Sequence, residues 1–538
     1  MHVAAVPEER MAEVSGFIEQ QNTQRLIFRT TPAPVQPDAG VINRFVQLYF
    51  EYFHPILPFL HKPTFNERET PWLLVLAVAT VGGHYARGRS STRFVSTLRE
   101  YLRRAIIISI EGGRSNPLQV WFAQVVLLSH ISMVYSGKKE LVLATLYQRN
   151  LLNMLCKGIS AGFSHHGREF SRMPSVEDWL DTELAARVVH ATWLLDCQHS
   201  LHCDLPPPST SPRELEPPLP CAEDIWNTPV EHVDKPPQEP LTLQEALHLA
   251  HRGAGDPFPR VGEFARRIVV TAVYYESRVV LQAAASLQQS GALAHIMGAS
   301  GMDRAQLPSA DPIATDAVYS CWRRSAAAAL ACLGPPAACP GAEHSTLAQQ
   351  QLHYVSIRLY VPLTRLCALT GWMASERATA HARGELIRWI RLDGESARRA
   401  VMHAAKLFAL LRRRATGSYF EAHYVLLATL TMWAYALLEP EAVDQDSRAR
   451  ASSRLPAASR VIRLDAIGDA QTEHWWTVEG IACAPNVGGV GSIQGRAGAQ
   501  RVVGEAQRLL LQRGAWPISQ KFARVLGDLA AEGRTGDR

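Results

Sequence analysis

The densest group of side chains that could bind a metal lies in the segment CQHSLHCD, residues 197–204. Its potential ligands are Cys197, His199, His202, Cys203 and Asp204. Zinc binds thiolate and imidazole groups, but on a helix His199 and Cys203 share a face while Cys197 lies elsewhere, so a second segment would have to complete the site. We therefore favour the alternative that these side chains are buried core residues, and we expect no metal site in this chain.

A cluster of acidic residues lies in the segment EDWLDTE, residues 177–183. Its carboxylates belong to Glu177, Asp178, Asp181 and Glu183. They are similar to the acid-rich helix with which terpene cyclases hold magnesium and a diphosphate. That chemistry needs a second magnesium-binding helix, and in the nearest imitation Asp316 and Ser320 are followed by Arg324 where an acid is required. We favour the simpler explanation that acids in a first helical turn are stabilised by the helix dipole.

Two further patterns suggest binding, and each has a simpler explanation. The glycine-rich run at residues 486–498 lacks G-x-G-x-x-G spacing and a preceding strand rich in Val or Ile, which favours a loop over a phosphate site. The stretch from Arg377 to Arg414 holds ten basic residues against three acidic ones. Because its last arginines precede Gly417 at a predicted helix end, we interpret the stretch as a solvated helix face rather than a nucleic-acid patch.

Length and composition define the class of protein. The chain has 538 residues, of which 47% are hydrophobic and 20% charged, as in folded globular proteins. A net charge of +5 is too balanced to predict nucleic-acid binding. The nine cysteines form no C-x-x-C pair, which favours a reducing compartment over a disulfide framework. The longest apolar stretches, residues 72–83 and 424–438, are shorter than the roughly 20 residues of a membrane span, and no secretory signal precedes them, so we expect neither a membrane nor a secreted protein.

Helical periodicity dominates and predicts an all-α protein: a large, irregular multi-helix domain with a proline-rich connector and a helical C-terminal half. Strand alternation is scarce. We divide the chain into an N-terminal tail and linker (1–40), a core (41–240), a helical continuation of the same domain (241–438), a loop-rich, glycine-containing segment (439–499) and C-terminal helices (500–538). In the continuation we predict single helices over 347–369 and 385–414, among others.

The helix after Ser175 has the clearest pattern. Ser175 and Asp178 have capping-box spacing, and the helix should run to about Cys203. One stripe is apolar, formed by Leu184, Val188, Ala191 and Leu195. Asp181, Glu183 and Arg187 are expected to face solvent.

Three segments, in order along the chain, form a distinctive set. The first, LYFEYFHPILPFLHKPTF (48–65), is an aromatic helix that runs into a proline stretch marked by His54, Pro55, Pro58, His61, Pro63, Thr64 and Phe65. The second, ARVVHATWLLDCQHSLHCDLPP (186–207), carries Arg187, Asp196 and Ser200. The third, EPPLPCAEDIWNTP (216–229), carries Trp226. This ordered set resembles the fungal-specific transcription factor domain, the middle homology region of fungal zinc-cluster and zinc-finger transcription regulators.

The resemblance implies a nuclear, non-enzymatic regulatory domain that controls RNA polymerase II transcription. It would act through coregulators, a homologous subunit or a small-molecule effector in a helix-lined cavity. The alternatives are a helical adaptor without a promoter role and a magnesium-dependent diphosphate lyase or cyclase, the class of enzyme that the acidic cluster at residues 177–183 suggested. The marked residues are expected to be scaffold residues, with Arg187 and Asp196 forming an ion pair or bonding neighbouring backbone groups.

The family's zinc belongs to a separate DNA-binding module, and no finger or six-cysteine cluster precedes the matched region. We therefore expect no cofactor in this chain and only weak, nonspecific binding to DNA. Either the gene model starts late or this paralogue has lost DNA binding. A second departure is that the family's glycine before the proline turn is replaced around Asp204.

Overall fold

Helices make up most of the chain in the computed structural model, which describes residues 2–23, 38–65, 70–86, 88–111, 119–166, 175–233, 241–252, 261–290, 317–334, 346–442, 461–479 and 484–535. The N-terminal half contains α1 (Glu8–Thr23), α2 (Ala39–Leu48), α3 (Trp72–Gly82), α4 (Arg89–Glu111), α5 (Val120–Val134), α6 (Lys139–His166), α7 (Val176–Cys203), α8 (Glu223–Trp226), α9 (Leu243–Arg252) and α10 (Glu263–Ser290). The C-terminal half contains α11 (Ala317–Cys332), α12 (Thr346–Tyr360), α13 (Leu363–Leu369), α14 (Glu376–Leu392), α15 (Gly394–Arg413), α16 (Glu421–Ala442), α17 (Ala470–His474), α18 (Gly495–Arg513) and α19 (Ile518–Thr535). The all-α prediction is confirmed.

A small sheet lies in the segment that we predicted to be loop-rich. Strand β1 (Val461–Arg463) pairs in parallel with β2 (Ala484–Val487), which pairs in antiparallel with β3 (Gly491–Ser492). The glycine-rich run forms the turn between β2 and β3, where Gly489 and Gly491 have φ values of +75° and +89°. Only glycine adopts this region of backbone space readily, so these glycines serve the turn.

A large hydrophobic core runs through the described chain, from Val3 to Ala530, and a smaller cluster is formed by Trp179, Leu180 and Trp226. In the N-terminal half, α3 packs against α2 and α5, and α3 is buried on nearly every side. Helix α10 contacts both α7 and α12 and so joins the two halves. In the C-terminal half the packing continues through α12, α15, α16, α18 and α19 in that order.

Helix α1 lies in the segment that we assigned to a tail. Val14 and Ile18 are buried, and the Phe17 ring lies 5.0 Å from that of Trp72, at the start of α3. Residues 8–23 are therefore a packed helix and not a free tail, because their apolar face is covered by α3.

Helix α7 begins where we predicted, but its solvent-exposed residues differ from the ones we predicted. Ser175 accepts a hydrogen bond from the Asp178 backbone N–H at 3.1 Å. Glu183 and Arg187, which we expected at the surface, are buried, with 6% and 0% of their area exposed. That expectation is wrong because the turns around Arg187 are covered on every side, so a polar side chain there must find partners inside the protein.

Two predicted helices are each split in two. The segment 347–369 is interrupted at Pro362, which precedes α13, and 385–414 is interrupted at Asp393, whose side chain caps α15 by accepting from the Ser396 N–H. Proline lacks the backbone N–H that would continue the first helix, and the aspartate carboxylate accepts from a free N–H at the start of a new helix. Among the helices of the described residues, none combines the length and hydropathy that a bilayer span requires.

Candidate functional site

The segment from His54 to Phe65, which we call the proline strap, crosses the core without regular helical hydrogen bonds. It follows a short π-helical turn at Tyr49–Phe53, and its three prolines prevent a helix. Its backbone carbonyls therefore need partners from elsewhere, because a buried polar group without one is costly.

Four buried side chains from four helices supply these partners. Each one donates to a different strap carbonyl: Arg267 of α10 to Ile56 O, Arg187 of α7 to Pro58 O at 2.8 Å, Gln124 of α5 to Phe59 O at 3.2 Å, and Trp226 of α8 to Leu60 O at 3.1 Å. The strap is thus the place where distant parts of the chain meet.

Arg187 is the centre of this arrangement. Its Nε donates to Glu183 Oε1 at 2.7 Å, and its Nη2 donates to the Cys221 carbonyl at 2.7 Å. The same Glu183 oxygen accepts from the Cys221 backbone N–H at 2.9 Å. The guanidinium carbon lies 4.3 Å from the centre of the Trp226 ring, a cation–π contact. One residue therefore joins all three motifs of the sequence.

The histidines of the strap are buried and make specific contacts. His54 Nε2 lies 3.2 Å from Asn227 Oδ1, and burial lowers the pKa of His54 to about 3. His61 Nδ1 lies 2.9 Å from Thr64 Oγ1, and the His61 ring meets the Trp226 ring edge-on at 4.8 Å. His54 is therefore an uncharged packing residue at neutral pH.

The remaining strap positions pack or face outward. Phe65 is buried with its ring 4.8 Å from that of Phe50. Pro58 is buried, Pro63 is half-buried and Pro55 is exposed. The three prolines shape the backbone of the strap, and their side chains carry no reactive group.

Helix α7 also fixes the connector that follows it. His190 Nε2 lies 2.9 Å from the Pro218 carbonyl, and burial lowers the pKa of His190 to about 4. Trp193 Nε1 donates to the Thr210 carbonyl at 3.0 Å. The proline-rich connector is therefore ordered by side chains of α7 over residues 205–233.

Arg187 and Asp196 do not pair with each other. They are nine residues apart on one helix, which places them about 13 Å apart along its axis and on opposite faces. Asp196 pairs with Arg149 of α6, and Arg187 takes the second role that we predicted, bonding backbone groups. Ser200 Oγ donates to the Leu205 carbonyl at 2.7 Å, where α7 ends.

The candidate metal ligands diverge. Cys197 is buried and Cys203 exposed, while His199 Nδ1 lies 3.4 Å from His130 Nε2. The His202 ring stacks on the His423 ring at 4.5 Å. Within the described ranges, no group of three or more His, Cys, Asp or Glu side chains is placed to hold a metal ion.

The acidic cluster is split by the fold. Glu177, Asp178 and Asp181 are exposed, whereas Glu183 turns inward to Arg187. Of the second motif that a diphosphate lyase would need, Asp316 lies outside the described residues. The exposed carboxylates therefore lack the fourth acid of the pattern.

The basic stretch contributes to packing. Arg398 is buried and its Nε donates to the Thr477 carbonyl at 2.9 Å, while Arg412 Nε lies 2.8 Å from Glu505 Oε1. The interpretation as a solvated face is therefore wrong for Arg398, because its side chain binds the segment that precedes β2.

Sequence reasoning missed Arg267 and Gln124, and it placed Glu183 at the surface. Arg267 is 1% exposed, and besides its strap contact its Nε donates to Gln351 Oε1 at 3.0 Å. The available signal was a polar residue inside an otherwise apolar helical stretch, which must be paired if it is buried. The whole arrangement around the strap holds backbone carbonyls in place.

Comparisons with known proteins agree with the motifs. Residues 46–249 match the family model described as the fungal specific transcription factor domain, so the resemblance is confirmed for that region. The strap, Arg187 and Trp226 all lie inside it. No solved structure matches the chain.

By name, the relatives are a transcription factor and two zinc finger proteins. A "Transcription factor" of Gibberella fujikuroi is 25% identical over 543 aligned residues, which cover 99% of this chain and 65% of that protein. "Zinc finger protein klf1" of Schizosaccharomyces pombe is 24% identical over 35% of this chain and 24% of that protein. A second zinc finger protein of the same yeast is 20% identical over 37% of this chain. The chain thus spans less than two thirds of the length of the curated relatives it matches.

Proposed function

We propose that the chain, whose residues 46–249 match the family model of the fungal specific transcription factor domain, is the regulatory, non-DNA-contacting region of a nuclear transcription factor. The domain supports a role in transcription regulation. The finer role is that the chain receives signals and contacts coregulators or a homologous subunit, while sequence-specific DNA recognition comes from a separate zinc module. In this proposal the chain itself needs no metal or cofactor and carries out no catalysis.

One observation carries the proposal: the three family motifs converge on Arg187 inside a buried scaffold. A catalytic site would place reactive groups in an accessible cleft, whereas these residues hold backbone carbonyls in the interior. Such a scaffold suits a protein that presents surfaces to partners.

A tethering experiment tests this function. The chain, fused to a heterologous DNA-binding module, is expressed in a fungal host that carries a reporter gene with the module's operator. We expect reporter transcription to rise or fall relative to the module alone. A fusion that is folded and nuclear, yet leaves transcription unchanged in growth conditions that vary carbon, nitrogen and stress, would contradict the proposal.

A further inference from the structure

Helix α6 carries apolar side chains on the face that points away from the core. Its inner face packs against α5 and α7. On the outer face Leu143, Leu146 and Met154 expose 49%, 46% and 52% of their area. Their spacing places all three on one side of the helix. Exposed apolar side chains that lie together in this way, rimmed by polar residues, mark an interaction surface.

The exposed residues of this face have the spacing of a coiled-coil seam. What we call the α6 seam consists of six exposed residues: Glu140, Leu143, Asn150, Met154, Lys157 and Ala161. They follow one another at steps of three, four or seven residues, as the a and d positions of a heptad do. Residues at these positions form one stripe along a helix and pack against a second helix. The α6 seam is therefore spaced to pair with a helix.

The two charged residues of the seam determine which helix fits. Glu140 and Lys157 are seventeen residues apart, about 26 Å along the helix axis. If two copies of α6 paired in parallel, each charge would lie opposite the same charge, which is unfavourable. In an antiparallel pair, Glu140 of each copy lies opposite Lys157 of the other. The seam is therefore complementary in charge to a second, antiparallel copy of itself.

The same register also pairs the apolar residues. Leu143 comes three residues after Glu140, and Met154 comes three residues before Lys157, so Leu143 lies opposite Met154 of the other copy. A two-fold axis between the copies makes each of these pairs occur twice. Asn150 lies near the centre of the seam, and a polar side chain at such a position favours one register over its neighbours.

Both charges are available to a second copy. Glu140 is exposed and forms no ion pair within the described part of the chain. Lys157 Nζ lies 3.4 Å from Glu214 Oε2, with 51% and 49% of the two side chains exposed. An ion pair that is so exposed contributes little free energy, so Lys157 can exchange Glu214 for Glu140 of the other copy at little cost.

We propose that α6 is the surface through which two copies of this chain form an antiparallel, two-fold symmetric dimer. The inference deepens the proposed function, on which its regulatory meaning rests, by giving the homologous subunit a surface and an orientation. The short seam suits a weak, reversible dimer rather than an obligate one.

Charge exchange tests both the surface and the orientation. Sedimentation velocity of the full chain at about 1–100 µM should show a monomer–dimer equilibrium. E140K and K157E each place like charges opposite one another at both ends of the seam, so each variant alone should dimerise about tenfold more weakly or worse. A mixture of the two variants has opposite charges at both ends. With one variant fluorescently labelled, the mixture should form heterodimers about as tightly as the wild type forms homodimers.

Two further variants separate the seam from general effects. Leu143→Asp should abolish the dimer, because it places a charge in the apolar part of the seam. Leu511→Asp makes the same change at a residue of α18 that is 62% exposed, and it should leave the dimer intact. Melting temperatures confirm that both variants are folded. The inference is overturned if the wild type stays monomeric, if E140K and K157E dimerise as well as the wild type, if their mixture dimerises no better than either alone, or if L511D acts like L143D.

The tethering experiment keeps the two proposals distinct. A regulated reporter with a monomeric chain would reject the dimer and leave the proposed function standing. A dimer that responds to charge exchange as expected, with a silent reporter, would do the reverse.

Discussion

At the scale of single residues, the molecule depends on buried side chains that bond backbone carbonyls far away in sequence. Arg187 reaches Pro58 across 129 residues, and Arg267 reaches Ile56 across 211 residues. Each contact satisfies a carbonyl that the proline strap leaves without a helical partner. Long-range polar contacts of this kind fix which parts of the chain pack together.

Arg187→Met provides the sharpest test of this view. The substitution keeps much of the side chain's bulk but removes the donors to Pro58 and Cys221 and leaves Glu183 buried without a countercharge. Breaking a buried pair in this way should lower the free energy of unfolding by about 3–5 kcal/mol. Urea denaturation measures the effect.

Two comparisons make the test specific. The double variant R187M with E183L removes both charges and should recover part of the loss, and R508M, at an exposed arginine, should be close to the wild type. If R187M unfolds at the same urea concentration as the wild type, the strap does not depend on Arg187.

These residue contacts could be predicted only in part. The motifs located His54, Pro58, Arg187 and Trp226, because their types and order are distinctive. Their partners stayed hidden, since a carbonyl acceptor has no sequence signature and its donor can lie anywhere in the chain. Asp196 illustrates the limit: its partner Arg149 lies on α6, which no motif indicated.

At the scale of elements, close helix packing and helix ends control the fold. Gly82, near the end of α3, lies against the backbone of α2. A Cβ at this position would stand 1.9 Å from the Phe45 carbonyl oxygen and 2.9 Å from the Tyr49 nitrogen. The two helices can approach this closely only because residue 82 has no side chain.

Gly82→Ala should therefore lower the free energy of unfolding by about 1–3 kcal/mol or more, because two backbones must move apart. Gly384 is a matched control in α14, where an added Cβ meets nothing within 4 Å. Gly384→Ala should raise stability by about 0.4–1 kcal/mol through helix propensity. The melting temperatures of the two variants, measured by thermal unfolding, test this difference. Equal melting temperatures would contradict the close approach of α2 and α3.

The end of α7 gives a second prediction at this scale. Asp204 follows the helix with a φ of 53°, a left-handed conformation, and its carboxylate lies 3.1 Å from Arg278 and 2.6 Å from Arg358. At a backbone position that suits glycine, Asp204 is thus held by ion pairs with two arginines.

Asp204→Gly and Asp204→Ala separate the two effects. Both remove the ion pairs, and alanine alone keeps the left-handed strain, so the alanine variant should be less stable than the glycine variant by about 1 kcal/mol. Chemical denaturation of the pair measures this difference. Equal stabilities would mean that the turn relaxes when the carboxylate is lost.

The helices themselves were easier to predict than their surroundings. Capping residues and apolar periods located most of them, including α7 with its Ser175 cap. Helix α6 was missed because Leu143, Leu146 and Met154 lie on its exposed side and blur the apolar stripe. The predicted solvent face of α7 was right at Asp181 but wrong at Glu183 and Arg187, because the turns around Arg187 are covered on every side.

At the scale of the whole molecule, the interior is rich in uncharged histidines. Burial lowers the pKa of six of them to about 3 or 4: His54, His84, His190, His199, His353 and His423. In the unfolded chain these groups bind protons near pH 6.5, whereas in the folded chain they do not.

Stability should therefore fall on acidification. A histidine whose folded pKa is depressed contributes stability above its unfolded pKa and loses it as the pH falls, by about 1.4 kcal/mol per pH unit for each group. We expect the urea midpoint to drop steeply between about pH 6.5 and 5, the window just below the unfolded pKa. A midpoint that stays constant from pH 7.5 to about 5 would show that these histidines are protonated inside the fold.

The central claim at this scale is that the chain regulates transcription without reading DNA sequence itself. Specific recognition needs an element in a groove with several side chains at base edges, and the proposal assigns that element to a separate zinc module. The most direct measurement is to bind the full chain to a pool of random duplexes at about 50 and 200 mM salt and to sequence the bound fraction. The account predicts weak binding that is lost at the higher salt and no enriched sequence; an enriched motif that survives the higher salt would contradict it.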